Sequence, residues 1–447
     1  MRSIFEVLKK EDLTTLKLRY DFRTGIMNFM AAKEWEKDTD FSRFNKDFYV
    51  GSVMTADPRY YGTEQVREIF AKQDALDYLD QVADLLRQGK HYGLDCSYYD
   101  KHNIRFAGGL HSPRMGTSTL RAYVFGGGIR RHEPNEPELD VITDGLNLAR
   151  AMSFKWVAIK LTVGGAKTVV QMDPVDLSNL EILGFLGYGI SSMRCCTSAD
   201  MGFPLEMNDA VVDHGFSAVF QGGTKARVGV SGPPTSYGTY LAMKEAVGQV
   251  YGTKSLEGLT VAVQGLGNVG APLAEYVLEE GGSLIIADID PARVKSFIDQ
   301  HAAKNITAVG PEEVLRVKCD VLAPCSVGGV LSDETIPELD CRVVFGAANN
   351  QLKATNQETE IRLANKIADR GILFQEAWWH NGGGAWSGTY ENDRGAEANL
   401  PELMALIGEV VPAQTRSNLA KAKELHITPT ECMYRTVEAI LYGEAEA

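Results

Sequence analysis

The chain has 447 residues, long enough for two or three domains rather than a single core, and its 44% hydrophobic and 23% charged residues place it among ordinary globular proteins. A formal charge of −14 leaves no basic footprint for a phosphate backbone, so nucleic acid is not an expected partner. Seven cysteines, an odd number with no CxxC pair and no zinc-type spacing, point to reduced thiols and to no metal site.

Charge interrupts every apolar stretch in the first twelve residues, and no run approaches a membrane span. Neither a signal peptide nor a membrane segment is expected, and the cytoplasm is the expected compartment. Residues 1–100 read as mixed helix and loop, with helical spacing over 64–70 and 75–86. Short apolar runs with glycines over 104–131 suggest strands, 139–151 has helical spacing, and a glycine-rich stretch follows at 163–167.

A second pattern begins near Pro233. A helix over 235–251 precedes five short β-type runs at 259–263, 283–287, 320–323, 342–345 and 371–374, with helical segments such as 271–280 and 359–370 between them. That alternation predicts a parallel, doubly wound sheet. Residues 400–447 read as helices.

Gly265-Leu-Gly267-Asn-Val-Gly270 is a GxGxxG placed directly after a predicted strand and opening a predicted helix. Gly265 permits the tight turn, Gly267 admits a pyrophosphate to the helix N-terminus, and Gly270 allows close helix and strand packing. Asp288, 18 residues after Gly270, stands where a carboxylate accepts from ribose hydroxyls and repels a 2′-phosphate, which favours NAD over NADP, although Arg293 nearby softens the preference. Upstream, Lys155 and Lys167 lie 12 residues apart, Lys167 beside Gly164 and Gly165. Glycines let a ligand approach, and a lysine near another cation in a dry site has its pKa lowered toward that of a useful base.

These stretches resemble the glutamate, leucine, phenylalanine and valine dehydrogenase family in order and spacing. The resemblance rests on Gly127-Gly-Ile-Arg130, Met152-Ser-Phe-Lys155, Gly164-Gly-Ala-Lys167, Ala199-Asp200-Met-Gly202, Thr235-Ser-Tyr-Gly238, Gln264 to Gly270, Cys319 to Cys325 and Gly346 to Leu352. The detail of Gln264 to Gly270 looks closest to leucine dehydrogenase. The resemblance implies a two-domain α/β fold with a Rossmann NAD domain over 233–415 and a substrate domain over 1–232, joined by helices at 416–447, with substrate and cofactor meeting in a cleft. It implies Lys155, with Gly127 and Gly128, at the substrate carboxylate, Lys167 as the low-pKa lysine that helps water attack an iminium, and Asp200 as the proton shuttle at the amine. Thr235, Ala347, Asn349 and Asn350 would line the cofactor site together with Asn268, Val269 and the three glycines, although Asn349 and Asn350 also suit a turn. A homo-oligomer is implied as well.

The pattern departs from the family in three places. Glutamate enzymes carry a lysine for the side-chain carboxylate where this chain has Gly126, which argues against acidic substrates unless Arg121, Arg130 or Arg131 supplies the charge, and leaves room for a bulky apolar side chain. The aromatic stretch Glu376-Ala-Trp-Trp-His-Asn381 takes the place of the family's Asn-Ala-Gly-Gly segment, with Asn381 preferred to His380 in the Asn position, and Trp378, Trp379 and Trp386 are candidate pocket walls, although tryptophans are more often core or subunit contacts. The first 100 residues hardly match the family. The expected reaction is NAD-dependent, reversible oxidative deamination of an apolar L-amino acid to its 2-oxo acid and ammonia. A relocated glutamate site, an enzyme for an unusual amino acid, and an inactive nucleotide or amino-acid sensor stay open as alternatives.

Overall fold

Alternation in Thr15–Asp21 buries Leu16 and Leu18 and leaves Lys17 and Arg19 partly exposed, the pattern of a strand covered on one face. In the computed structural model, which describes residues 2–45, 50–112, 123–215, 222–302 and 304–443, this segment is β1 of an eight-stranded sheet. The other strands are β2 (Ile26–Lys33), β3 (Arg59–Tyr61), β4 (His91–Tyr99), β5 (Ile104–His111), β6 (Phe125–His132), β7 (Gly164–Gln171) and β8 (Cys195–Cys196). They run in the order β3-β2-β1-β4-β5-β7-β6-β8, antiparallel as far as β7 and parallel across β7, β6 and β8.

One face of this sheet is covered by α1 (Ile4–Lys10), α2 (Thr63–Lys72), α3 (Leu76–Gln88) and the first turns of α4 (Glu138–Ala158), whose Leu8, Phe70, Leu79, Val82 and Leu146 join Leu16, Leu18, Leu94 and Val169 in one core. On α5 (Leu180–Ser192), capped by Asn179, Phe185 packs among Trp35, Phe41, Tyr99 and Phe106 in a second, aromatic cluster. A short helix, α6 (Glu206–Asp213), follows.

The second unit opens with α7 (Gly232–Tyr251) and holds six parallel strands: β9 (Thr260–Gln264), β10 (Ser283–Ala287), β11 (Ile306–Ala308), β12 (Val321–Pro324), β13 (Val343–Val344) and β14 (Leu373–Phe374). Their order, β11-β10-β9-β12-β13-β14, is that of a Rossmann sheet, and its reversal at β9 and β12 puts the ligand crevice at the carboxyl end of β9. The accompanying helices are α8 (Gly270–Glu279), α9 (Pro291–Gln300), α10 (Gln357–Ala368), α11 (Gly383–Arg394), α12 (Leu400–Leu425) and α13 (Pro429–Tyr442).

The chain separates into Met1–Trp156 with Leu161–Gly229 and Gly388–Ala398, and Val157–Lys160 with Val230–Ser387 and Asn399–Ala447. The C-terminal helices therefore group with the Rossmann unit and not, as expected, with the substrate half. Trp378 stacks edge-on against Tyr434 of α13, and Asn418 of α12 donates to Gln375 at 2.9 Å, which ties both helices to the end of β14. Among the described residues no helix is long and apolar enough to cross a membrane.

Candidate active site

In the first unit β7 lies between β5 and β6, with Lys167 in register with Gly128 of β6 and Gly109 of β5. The lysine side chain is only 8% exposed, and its amine contacts the Asp200 carboxylate. Asp200 is held by its own backbone, whose N–H donates to Ile129 O at 2.9 Å, while the preceding Ala199 N–H donates to Asn208 Oδ1 at 2.8 Å. Arg130 completes the cluster, reaching Asp200 at 3.2 Å and Asp144 at 3.0 Å. Burial pushes the Lys167 amine below the ordinary lysine value, and Asp200 only partly offsets this. Burial raises the Asp200 carboxyl, but Lys167 and Arg130 outweigh that effect and hold it below the usual carboxylate range.

Gly128 has no Cβ because one would lie 2.9 Å from the Lys167 amine, and at Gly127 one would stand 1.7 Å from Ala166 O. The glycines beside Lys167 have a different purpose from the one expected. A Cβ at Gly164 would meet the Phe125 ring at 2.7 Å, and one at Gly165 would meet Ala149 O of α4 at 2.0 Å. They let a ring and a helix approach the sheet, not a ligand. At that crossing Ser153 Oγ accepts from Gly165 N–H at 2.8 Å and lies 2.7 Å from His111 Nδ1. One hydrogen bond thus joins the segments that carry Lys155 and Lys167, each two residues further on; Lys155 is half-buried in the last turn of α4.

The room expected beside Gly126 is filled. The Trp156 indole N–H donates to Gly126 O at 3.1 Å, and a Cβ on Gly126 would lie 2.8 Å from the Trp156 ring. Two of the arginines considered as carboxylate partners are committed elsewhere: Arg130 as above, and Arg131 to Glu133 and to the carbonyls of Met172 and Gly202. Arg121 lies outside the described residues.

In the second unit the glycine loop follows β9. Gly265 has φ +93°, Gly270 packs so closely that a Cβ would be 1.9 Å from Gly265 O, and a Cβ on Gly267 would meet nothing within 4 Å. The first and third glycines shape the loop, and the second leaves it open above the start of α8. Asn268 and Val269 tie the loop to α7: Ser236 Oγ donates to Val269 O at 2.6 Å, and Gly232 is pressed against Asn268 O. Asp288, at the end of β10, has a side chain only 5% exposed and accepts from the N–H groups of Leu266 and Asp290 at 2.7 and 2.8 Å. It therefore holds the glycine loop. Beyond it a hollow of ≈ 380 Å³ is lined by Asp288, the ion-paired Lys295 and Asp299, and the apolar side chains of Pro291, Val294, Ile298, Val309 and Pro311. Sequence reasoning missed this slot, although Pro291, Val294 and Ile298 recur on one face of α9.

Asn381 donates to Ala347 O at 3.0 Å and to Asn349 Oδ1 at 2.9 Å, and its own Oδ1 is buried with no protein partner. Thr235 Oγ1 accepts from Gly384 N–H at 3.0 Å, so Thr235, Asn381, Ala347 and Asn349 form one wall. Asn350, with φ +51°, is the turn former of the pair. His380 lies behind the wall, 2.9 Å from Gly346 O, 3.2 Å from Gln375 and stacked on Phe345. Trp378 and Trp379 are core rather than pocket, because the Trp378 ring packs against Tyr434 and the Trp379 indole N–H donates to Gln414 O of α12; Trp386 is also buried.

A Rossmann sheet with its glycine loop, and a separate sheet carrying a lysine–aspartate pair, define a protein of two α/β units. Family models for the Glu/Leu/Phe/Val dehydrogenase dimerisation domain and for the Glutamate/Leucine/Phenylalanine/Valine dehydrogenases match residues 117–204 and 222–292. Leucine dehydrogenase of Bacillus subtilis is 38% identical over 56% of this chain and 66% of its own length, and that of Bacillus cereus 34% identical over 64% and 77%. Valine dehydrogenase of Streptomyces albus is 34% identical over 62% of this chain and 72% of its own. The fold is also that of L-tryptophan dehydrogenase from Nostoc punctiforme, with a TM-score of 0.67 at 24% identity over 81% of this chain and 99% of the other. The chain belongs to the Glu/Leu/Phe/Val dehydrogenase family of amino-acid dehydrogenases.

Proposed function

We propose that the protein oxidises an L-amino acid with an apolar side chain to its 2-oxo acid, using NAD and water and releasing ammonium, NADH and a proton, and that it runs this reaction in both directions. The observation that carries the reading is the buried Lys167 amine in contact with Asp200, beside the backbone of Gly128. NAD, when bound, supplies the hydride acceptor; the open Gly267 and the cradle from Gly265 to Gly270 fit its pyrophosphate, the slot beyond Asp288 fits adenine, and the unpaired Asn381 Oδ1 suits an amide or ammonium donor.

Lys155 pairs with the substrate carboxylate and orients the α-hydrogen. Lys167, neutral in part because it is buried, takes a proton from the water that attacks the iminium carbon. Asp200 then carries a proton to the departing amine. Arg130 and Arg131 are both engaged with carboxylates of the protein, and Trp156 fills the space over Gly126, which favours apolar substrates. Asp288 favours NAD over NADP, and a homo-oligomer is part of the same reading. The test is the reverse reaction: with NADH, ¹⁵N-ammonium and 4-methyl-2-oxopentanoate, labelled L-leucine is expected. Production of 2-hydroxy acid, or no product from any 2-oxo acid, contradicts the reading.

A further inference from the structure

Residues 126 and 128 of β6 face the same side of the sheet, because side chains on a strand alternate. On that side a Cβ at 128 would touch the Lys167 amine at 2.9 Å, and a Cβ at 126 would touch the Trp156 indole at 2.8 Å. Two residues along a strand span roughly 6 to 7 Å. The indole therefore stands one step along β6 from the amine that works on the substrate's α-carbon, about the distance at which a substrate side chain ends. It is fixed on both sides. Its N–H donates to Gly126 O, Val163 would lie 3.2 Å from the same missing Cβ, and only 2% of the residue is exposed. With the indole N–H already satisfied, what the ring presents over Gly126 is apolar carbon.

We propose that Trp156 is the specificity-determining residue of the substrate site: its indole plugs the space over Gly126, so the size of residue 156 sets how bulky a substrate side chain is accepted. This rests on the amino-acid dehydrogenase reading above. Gly126 itself is buried beneath the ring and contributes by its absence of side chain, which gives the indole its place. The plug also seals that end of the site against a side-chain carboxylate, since ionised oxygens placed against ring carbon lose their hydration with no donor in exchange.

The experiment compares kcat/KM for L-valine, L-leucine, L-phenylalanine and L-tryptophan between the intact protein and Trp156→Ala, with the circular dichroism spectrum and Tm of both recorded. The expected result is a rise of the phenylalanine-to-valine ratio by about tenfold or more, the scale on which a few methylene volumes discriminate substrates. Trp156→Phe keeps a smaller ring and lacks the N–H; it is expected to shift the same ratio in the same direction but less, and it carries the test if the alanine variant does not fold. Equal loss on all four substrates, with the ratio unchanged within about twofold, shows Trp156 to be a packing residue and overturns the proposal while leaving the amino-acid dehydrogenase reading intact. Absence of turnover by the intact protein on every amino acid overturns that reading, and the proposal with it.

Discussion

With its side chain 8% exposed, Lys167 sits where its ammonium form is poorly hydrated, and Asp200, with a smaller contribution from Asp144, draws its pKa only part of the way back up. The neutral form that acts as a base is thus populated at a lower pH than in a free lysine. Activity is expected to rise with pH through the folded-state pKa of Lys167, below the ordinary lysine value of 10.5. Removing the neighbouring cation with Arg130→Gln is expected to move that rising limb to higher pH, because Arg130 lowers the Lys167 pKa; a kcat/KM profile measured from pH 6 to 11 checks this. Stability follows the same group. A lysine whose folded pKa is depressed opposes folding fully below that pKa, and the opposition is relieved as pH rises from the folded toward the unfolded value. Asp200 acts in the opposite limb: its lowered folded pKa stabilises the protein above the unfolded carboxylate value of 3.8, and this is lost as pH falls through the folded one. Asp200→Asn keeps the shape and removes the proton carrier, so kcat is expected to fall by about 10²-fold or more with the fold retained; wild-type kcat in this variant removes Asp200 from the mechanism.

Among the elements, β6 and β7 are the most demanding. Gly127→Ala would place a methyl 1.7 Å from a backbone oxygen of β7, a clash that no side-chain rotation relieves. It is expected to cost about 3 kcal/mol or more, at the upper end of overpacking effects, and to appear as a large drop in the denaturant midpoint or as insoluble protein. The five strands read from the second half of the sequence lie within a residue or two of β9, β10, β12, β13 and β14, since each is a short buried apolar run. β11 was not legible because Thr307 and Ala308 are exposed on the sheet edge and give no apolar run. Lys167, Asp200 and the glycine loop were legible because their residue types and spacing are chemically unusual. Asp144, Ser153, His111 and Trp156 were not, since each acts through a contact across 14 to 42 residues that no local pattern announces. The tryptophans of 378–386 stayed open between two readings for the converse reason: a cluster of rings looks the same in sequence whether it lines a pocket or fills a core.

For the molecule as a whole, the residues of the proposed site fall in two units. On that reading the lysines and the aspartate belong to one, and the glycine loop, Asp288 and Asn381 to the other. Asp288→Ser is expected to weaken NAD more than NADP, and also to loosen the glycine loop because Leu266 N–H loses its acceptor; Kd values for both nucleotides, read from quenching of tryptophan fluorescence, check this. The measurement that bears most directly on the central claim is NADH formation at 340 nm with a panel of L-amino acids, in the intact protein and in Lys167→Ala. Turnover of apolar amino acids that falls by about 10²-fold or more in the variant is the predicted result. No turnover with any amino acid, or turnover that survives the loss of the Lys167 amine, would contradict it.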